Sequence, residues 1–313
     1  MEVHDLVVIG SGPAGDTAAL YAQRTGIQTL VLEKAAFGGQ VSLTSKIDNY
    51  PGAISIDGYS LMESMRSQAQ EFGATYESCE VLEVRHSEDH KLFRMTTTAE
   101  DIAARAVIAC LGSNYALAGF KGEREFTGRG VSYCATCDGM FYRNKLVFVC
   151  GGGNSAAQEA LHLSHIASRV VVLVRKNQMR ADRFLVRQLE QTENIEIRYS
   201  VSLVEVSGNE LISSLTIRDN VKGSLTTTAF DEGSVGVFVF VGNTPQTEPL
   251  KSILDLDDSG YINTDQDMRT SVRGLFAAGD CRAKTLRQIV TATSDGAIAA
   301  HAAAQYLTDI KSR

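Results

Sequence analysis

Hydrophobic residues along this chain gather in short apolar runs, separated by glycine-rich turns and by stretches with helical spacing, and that alternation predicts strands connected by helices. One such unit reads Leu6-Val7-Val8-Ile9, a turn Gly10-x-Gly12-x-x-Gly15, a helix ending near Gly26 and a strand Thr29 to Leu32. The same order returns as Leu146-Val147-Phe148-Val149, Gly151-x-Gly153-x-x-Ala156, a helix ending near Ala167 and a strand Val170 to Val174. A lone glycine fingerprint is often only a tight turn, whereas two copies in matching context specify a repeated mononucleotide-binding unit. Between the copies the pattern predicts an amphipathic helix from Tyr59 to Phe72 and strands around Thr75 to Val84, Leu92 to Met95 and Ala106 to Cys110. After the second copy it predicts a helix near Asp182 to Gln191, further strands including the buried run Val235 to Val241, a strand Leu275 to Ala278, and an alanine-rich helix from about Thr293 to Leu307. Pro245 and Pro249 fall just past the Val235 run, where a chain crossing back to the first domain would place them. The expected fold is α/β, with two Rossmann-like, three-layer dinucleotide-binding domains. The second, 115–244, is inserted into a first made of 1–114 and 245–313.

Composition narrows the class. With 313 residues, 44% hydrophobic and 21% charged, the chain reads as an ordinary soluble protein of two domains. A formal charge of -7 argues against a nucleic-acid partner, and the charges are dispersed, so an anion site has to be built locally. The first strand begins too near Met1 for a signal peptide and no apolar run approaches a membrane span, so a cytoplasmic protein is expected. Of six cysteines, Cys79, Cys110, Cys150 and Cys281 are scattered and read as small buried hydrophobes. A zinc site built from Cys134, Cys137, His162 and His165 fails on spacing, and no metal is expected.

Cys134-Ala135-Thr136-Cys137-Asp138 is different. A Cys-x-x-Cys pair can cycle between dithiol and small-ring disulfide, and the neighbouring acid can carry the protons of that cycle. In the first glycine turn, Gly10 permits the tight bend, Gly12 lets a pyrophosphate approach the backbone and Gly15 lets helix and strand pack. Glu33, at the end of the next strand, can accept from a ribose 2'-hydroxyl and would repel a 2'-phosphate, which fits FAD or NAD. At the matching place in the second unit stand Val174, Arg175 and Lys176, with Arg180 beyond. Cations there suit the 2'-phosphate of NADPH, against the alternative of a solvated basic helix start. Gly274 to Asp280 ends a strand with a carboxylate suited to flavin ribityl hydroxyls, and Arg287-Gln288 precede a helix whose N-terminus can face the pyrimidine end of the ring.

Across essentially its whole length the chain resembles the low-molecular-weight thioredoxin reductases. The matching residues are Gly10-Ser11-Gly12-Pro13-Ala14-Gly15, Gly38-Gly39-Gln40, Asn49-Tyr50-Pro51-Gly52, Cys134 to Gly139, Gly242, and Ala278-Gly279-Asp280 with Arg287-Gln288. The resemblance implies FAD held by the first and last segments, with Lys34, Val81, Gly112 and Ile289 joining the residues already named. It implies NADPH at Gly153, Asn154, Ser155, Ala156, Arg175, Lys176, Arg180 and Gly242. It also implies that Cys137 faces the flavin, that Cys134 attacks a thioredoxin disulfide, that Asp138 gives and takes the proton, and that the chain forms a homodimer. The chain departs from the family in the second domain: Asn154 stands where an acid is usual, and Val174-Arg175-Lys176 where His-Arg-Arg is usual. Ala109-Cys110-Leu111-Gly112 also replaces a common Ala-Thr-Gly.

The expected activity is therefore FAD-dependent dithiol/disulfide exchange, with electrons passing from NADPH through FAD and Cys134–Cys137 to a protein disulfide. Nicotinamide and disulfide would ride on one domain and meet one ring in turn, by rotation about crossings near 114–117 and 243–247. The alternative is a flavoprotein of the same fold that works without NADPH, with ferredoxin or a second flavin as electron partner. A third reading, from another class, is a non-enzymatic redox sensor.

Overall fold

In the computed structural model, which describes residues 3–35, 37–44, 47–87, 92–254 and 256–312, the first glycine-turn unit folds as strand β1 (Val3–Ile9), helix α1 (Pro13–Arg24) and strand β2 (Thr29–Glu33). Helix α2 (Gly58–Glu71) follows, then β3 (Thr75–Ser78), β4 (Val81–Ser87), β5 (Leu92–Thr97) and β6 (Ile102–Ala109). The strands lie in the order β3-β2-β1-β6-β5-β4. Strands β3, β2, β1 and β6 run parallel, and Ile9 pairs level with both Leu32 and Ala109, so their carboxyl ends form one edge where the glycine turn sits. The run from Thr75 to Val84 is two strands and not one. Its first half pairs parallel with β2 and its second antiparallel with β5, at opposite ends of the sheet, so the chain must break at Cys79-Glu80.

The chain then passes through the short strand β7 (Ser113–Tyr115) into β8 (Val131–Ser132), α3 (Ala135–Asp138), β9 (Leu146–Cys150), α4 (Asn154–Ser164), β10 (Arg169–Val174), α5 (Arg183–Gln191) and β11 (Ile195–Tyr199). Three antiparallel strands, β12 (Val201–Gly208), β13 (Ile212–Asp219) and β14 (Leu225–Ala229), make a separate sheet before β15 (Val235–Val239). The main sheet here has the order β11-β10-β9-β15-β8 and is parallel throughout. All five residues of β15 are buried, as expected of a strand covered on both faces.

Strand β16 (Asn243–Pro245) pairs with β7, and the chain ends with β17 (Leu275–Ala277) and α6 (Ile289–Lys311). β17 runs parallel to the carboxyl half of β6, whose amino half is taken by β5. Helix α6 starts four residues earlier than the alanine pattern predicts. The reason is a capping box, in which Gln288 and Thr291 exchange side-chain and backbone bonds, and this lies outside any apolar periodicity. The chain folds as two compact units, Met1–Asn114 with Thr244–Arg313, and Tyr115–Asn243.

In the first unit, α1 and α6 meet through small residues: Ala14, Ala18 and Ala22 share a core with Ala292, Ala299 and Ala303. At Gly296 the approach is so close that a Cβ would lie 2.2 Å from the Ala14 carbonyl oxygen. Among the described residues no helix is long and apolar enough to cross a membrane.

Candidate active site

Both glycine turns have one geometry. Gly10 takes φ +105°, and a Cβ there would lie 2.3 Å from the Cys110 carbonyl oxygen; Gly151 takes φ +156°, and its Cβ would lie 2.4 Å from that of Phe240. The turn therefore nests against the neighbouring strand only without a side chain. Gly12 caps α1 at φ -96° and ψ -171°, and Gly153 caps α4 at φ -99° and ψ -178°, each without a side-chain cap. Nothing lies within 4 Å of a Cβ built on either. Each helix thus presents its first N–H groups and the positive end of its dipole to open space, a place for phosphate.

Around the first turn, Ser11 N donates to Glu33 Oε2 at 2.8 Å and Ala35 N to Glu33 Oε1 at 3.1 Å. The carboxylate is thereby fixed at the end of β2, with lone pairs left for a ribose. Gly38 N donates to Ser11 O at 2.6 Å, which lays Gly39 beside Gly12. Gln40 Nε2 donates to Ser113 O and to Asn114 Oδ1, and Lys34 Nζ to Gln246 Oε1 at 2.6 Å. Asn49 Nδ2 donates to Gln288 Oε1 at 3.0 Å, which ties that loop to the cap of α6 and so to Ile289. Val81 is buried in the core at the start of β4, which leaves its backbone as the part able to meet a ligand. Gly112 follows the β6 edge with φ +67°.

Asp280 Oδ1 and Arg287 Nε are both buried without a hydrogen-bond partner among the described residues. Burial pushes the Asp280 pKa up, opposed by Lys284 and Arg287. The Arg287 guanidinium stacks over the Tyr261 ring at 4.2 Å. A buried acceptor and a buried donor lacking partners are costly unless something satisfies them, and a polyhydroxylated flavin chain with a polar ring edge has the required groups. With the open turn at Gly12, these residues fit FAD.

In the second unit Asn154, Ser155, Arg175, Lys176 and Arg180 are exposed, Ala156 is buried under the turn, and none of the three cations forms an ion pair among the described residues. The loop that carries them folds back on the turn, Arg180 N donating to Gly152 O at 2.6 Å. Gly242 lies just before β16, and its carbonyl oxygen accepts from Ala116 N at 2.9 Å. The donor set fits a phosphorylated dinucleotide.

Cys134 and Cys137 form a disulfide, with Cα atoms 5.3 Å apart. Cys134 caps α3, its Sγ accepting from Cys137 N at 3.2 Å, so the pair sits on one helical turn. Burial raises the Asp138 pKa, and a hydrogen bond from Ser132 partly offsets this, which lets the carboxyl hold a proton further toward neutrality than an exposed aspartate does. Burial and the nearby Asp138 charge push Tyr142 up to about 12.

Sequence reasoning missed several supporting residues. Ser132 Oγ accepts from Cys134 N at 3.1 Å and also serves Asp138. Glu123, 3% exposed, accepts from Ala118 N, Gly119 N and Tyr133 OH, and Tyr133 stacks on Tyr115. Asp295 accepts from Gly279 N and pairs with Arg282 and Lys284. Only Ser132 has a signal in the sequence, a hydroxyl two residues ahead of the cysteine; the others meet through tertiary packing. Among the described residues no group of three or more His, Cys, Asp or Glu is placed to hold a metal.

The sequence model of the pyridine nucleotide-disulphide oxidoreductase family matches residues 4–296. Thioredoxin reductase of Treponema pallidum is 43% identical over 98% of this chain and 98% of its own, and that of Peptoclostridium litorale 39% identical over the same shares. The crystal structure of thioredoxin reductase from Streptococcus pyogenes superimposes with a TM-score of 0.93 at 38% identity, covering 98% of this chain and 99% of that one. The chain belongs to the pyridine nucleotide-disulphide oxidoreductases and, within them, to the thioredoxin reductase family. It is a flavin-linked oxidoreductase acting on a sulfur group, with a fold of two Rossmann-like domains.

Proposed function

We propose that this chain reduces the disulfide of thioredoxin with electrons from NADPH, through FAD and its own Cys134–Cys137 pair, as a cytoplasmic homodimer. The observation that carries the reading is the disulfide on one turn of α3, next to a half-buried proton carrier, in the same unit as a glycine turn faced by exposed cations.

Gly10, Gly12, Pro13, Ala14 and Gly15 would receive the FAD pyrophosphate, and Glu33 with Lys34 its adenosine. Gly39, Gln40, Asn49, Val81, Gly112, Gly279, Asp280, Arg287, Gln288 and Ile289 would line its remaining length. Gly153, Ser155, Ala156, Arg175, Lys176, Arg180 and Gly242 would line the NADPH site, and Asn154 would serve it from the start of α4. When bound, these two cofactors supply hydride transfer and pass two electrons to the disulfide. In the reduced pair the Cys134 thiolate attacks one sulfur of the partner disulfide, and the displaced partner thiolate takes a proton. The Cys137 thiolate then attacks Cys134 Sγ, re-forms the internal disulfide and releases the reduced partner. Asp138, its pKa raised by burial and its carboxyl hydrogen-bonded by Ser132, donates and accepts the proton of the pair.

Anaerobic stopped-flow tests the reading. NADPH is expected to bleach the flavin band within seconds, and Cys137→Ser is expected to keep its flavin while accumulating a mixed disulfide with thioredoxin. A flavin indifferent to NADPH but reduced by ferredoxin, or two flavins per chain, would assign the chain to the NADPH-independent alternative.

A further inference from the structure

The loop bearing Arg175, Lys176 and Arg180 is bonded at its near end to Ser200 and Asn220, Lys176 O accepting from Ser200 N at 2.9 Å and Arg175 O from Asn220 Nδ2 at 3.0 Å, and at its far end to the second glycine turn. Gly152 O accepts from Arg180 N at 2.6 Å and from Ala181 N at 3.2 Å. One residue further on, Asp182 caps α5 and makes a reciprocal pair with Asn154, the first residue of α4. Asn154 Nδ2 donates to Asp182 Oδ2 at 3.1 Å, and Asp182 N donates to Asn154 Oδ1 at 2.8 Å. The starts of two helices are thus tied to each other across the segment that carries the cations.

Residue 154 can make this pair only if it both donates and accepts. The Asp182 carboxylate has no proton to give, so its partner must supply one, while the Asp182 amide needs an acceptor. An amide side chain meets both demands. A carboxylate at 154 would satisfy the amide but set two negative charges in contact. It would do so without spoiling α4, because an acid at a helix N-terminus stabilises the helix.

We propose that the Asn154–Asp182 pair is a positioning device for 2'-phosphate recognition, holding the Arg180 end of the cationic loop against the turn so that discrimination between phosphorylated and unphosphorylated dinucleotide depends on it. The proposal rests on the reading of the second unit as an NADPH site. It assigns Asn154 a role through the loop and not through direct contact with the nucleotide.

The test is calorimetric titration of the FAD-loaded protein with 2',5'-ADP, which carries the 2'-phosphate, and with 5'-AMP, which lacks it. The parent is expected to prefer 2',5'-ADP. Asn154→Ala and Asn154→Asp are each expected to weaken 2',5'-ADP about tenfold, the scale of one hydrogen bond to a charged group, while 5'-AMP changes by less than about twofold. Asn154→Asp combined with Asp182→Asn restores a donor–acceptor pair in reversed order and is expected to return 2',5'-ADP to within about twofold of the parent. Parental affinity in Asn154→Ala overturns the positioning role and leaves the NADPH reading standing. A double variant as weak as Asn154→Asp also overturns it, because the new carboxylate would then be repelling the nucleotide directly. A parent with no preference for 2',5'-ADP overturns both.

Discussion

At Asp16, burial and hydrogen bonding pull against each other. The residue is 1% exposed on the inner face of α1, where its neighbours Ala14, Ala18, Ala19 and Ala22 form an otherwise apolar stripe. Its Oδ1 accepts from Ser11 Oγ at 2.7 Å and Tyr76 OH at 3.1 Å, while Oδ2 is buried without a partner among the described residues. Desolvation dominates and raises the pKa from 3.8 to about 7. The folded chain therefore holds this proton where the unfolded chain has lost it. The stability it contributes is complete below about pH 4 and is lost as pH rises through about 7. Asp16→Asn keeps the shape and removes the titration. Urea unfolding at pH 4 to 8 is expected to show the parent losing up to about 4 kcal/mol relative to that variant; parallel curves would show that Asp16 does not titrate in this range. Ser11 also donates to Glu33, so the buried acid stands directly behind the carboxylate assigned to the ribose. An isolated Asp in an alanine stripe is visible in the sequence, but its partner Tyr76 lies on β3 and is supplied by the fold alone.

At the scale of elements, the contact of α1 with α6 fixes where the first turn's N–H groups point. Alanine exceeds glycine in helix propensity by about 1 kcal/mol, so propensity alone predicts that Gly296→Ala stabilises the protein. The contact predicts the opposite, because the added Cβ would lie 2.2 Å from the Ala14 carbonyl oxygen at the start of α1. The expected outcome is a loss of about 1–3 kcal/mol in chemical denaturation and a lower FAD content after gel filtration. A more stable variant with full flavin would show that the helices part without cost to the site. The apolar pattern placed both helices but began α6 too late. Its cap is made by Gln288 and Thr291, which are side-chain-to-backbone bonds and carry no periodic signal.

At the scale of the molecule, the chain crosses between its units at β7 and β16, which pair with each other. The proposed alternation of nicotinamide and disulfide at one flavin would rotate about these crossings. If that rotation limits turnover, kcat with thioredoxin is expected to fall roughly in proportion as sucrose raises viscosity about threefold. An unchanged kcat would remove rotation from the slow step. The repeated glycine units, the paired cysteines with Asp138, the acid at Glu33 and the cations at Arg175 and Lys176 were all determined by local sequence. Each depends on residue types at short fixed spacings, the range over which backbone geometry and side-chain chemistry are set by neighbours in the chain. Tertiary structure alone decided that Thr75 to Val84 is split between two ends of a sheet, that Asn154 meets Asp182, that Glu123 anchors Tyr133, and that Asp295 gathers Gly279, Arg282 and Lys284. Those partners come together because buried polar groups must find one another once the apolar faces have packed, and no spacing along the chain records where that packing brings them.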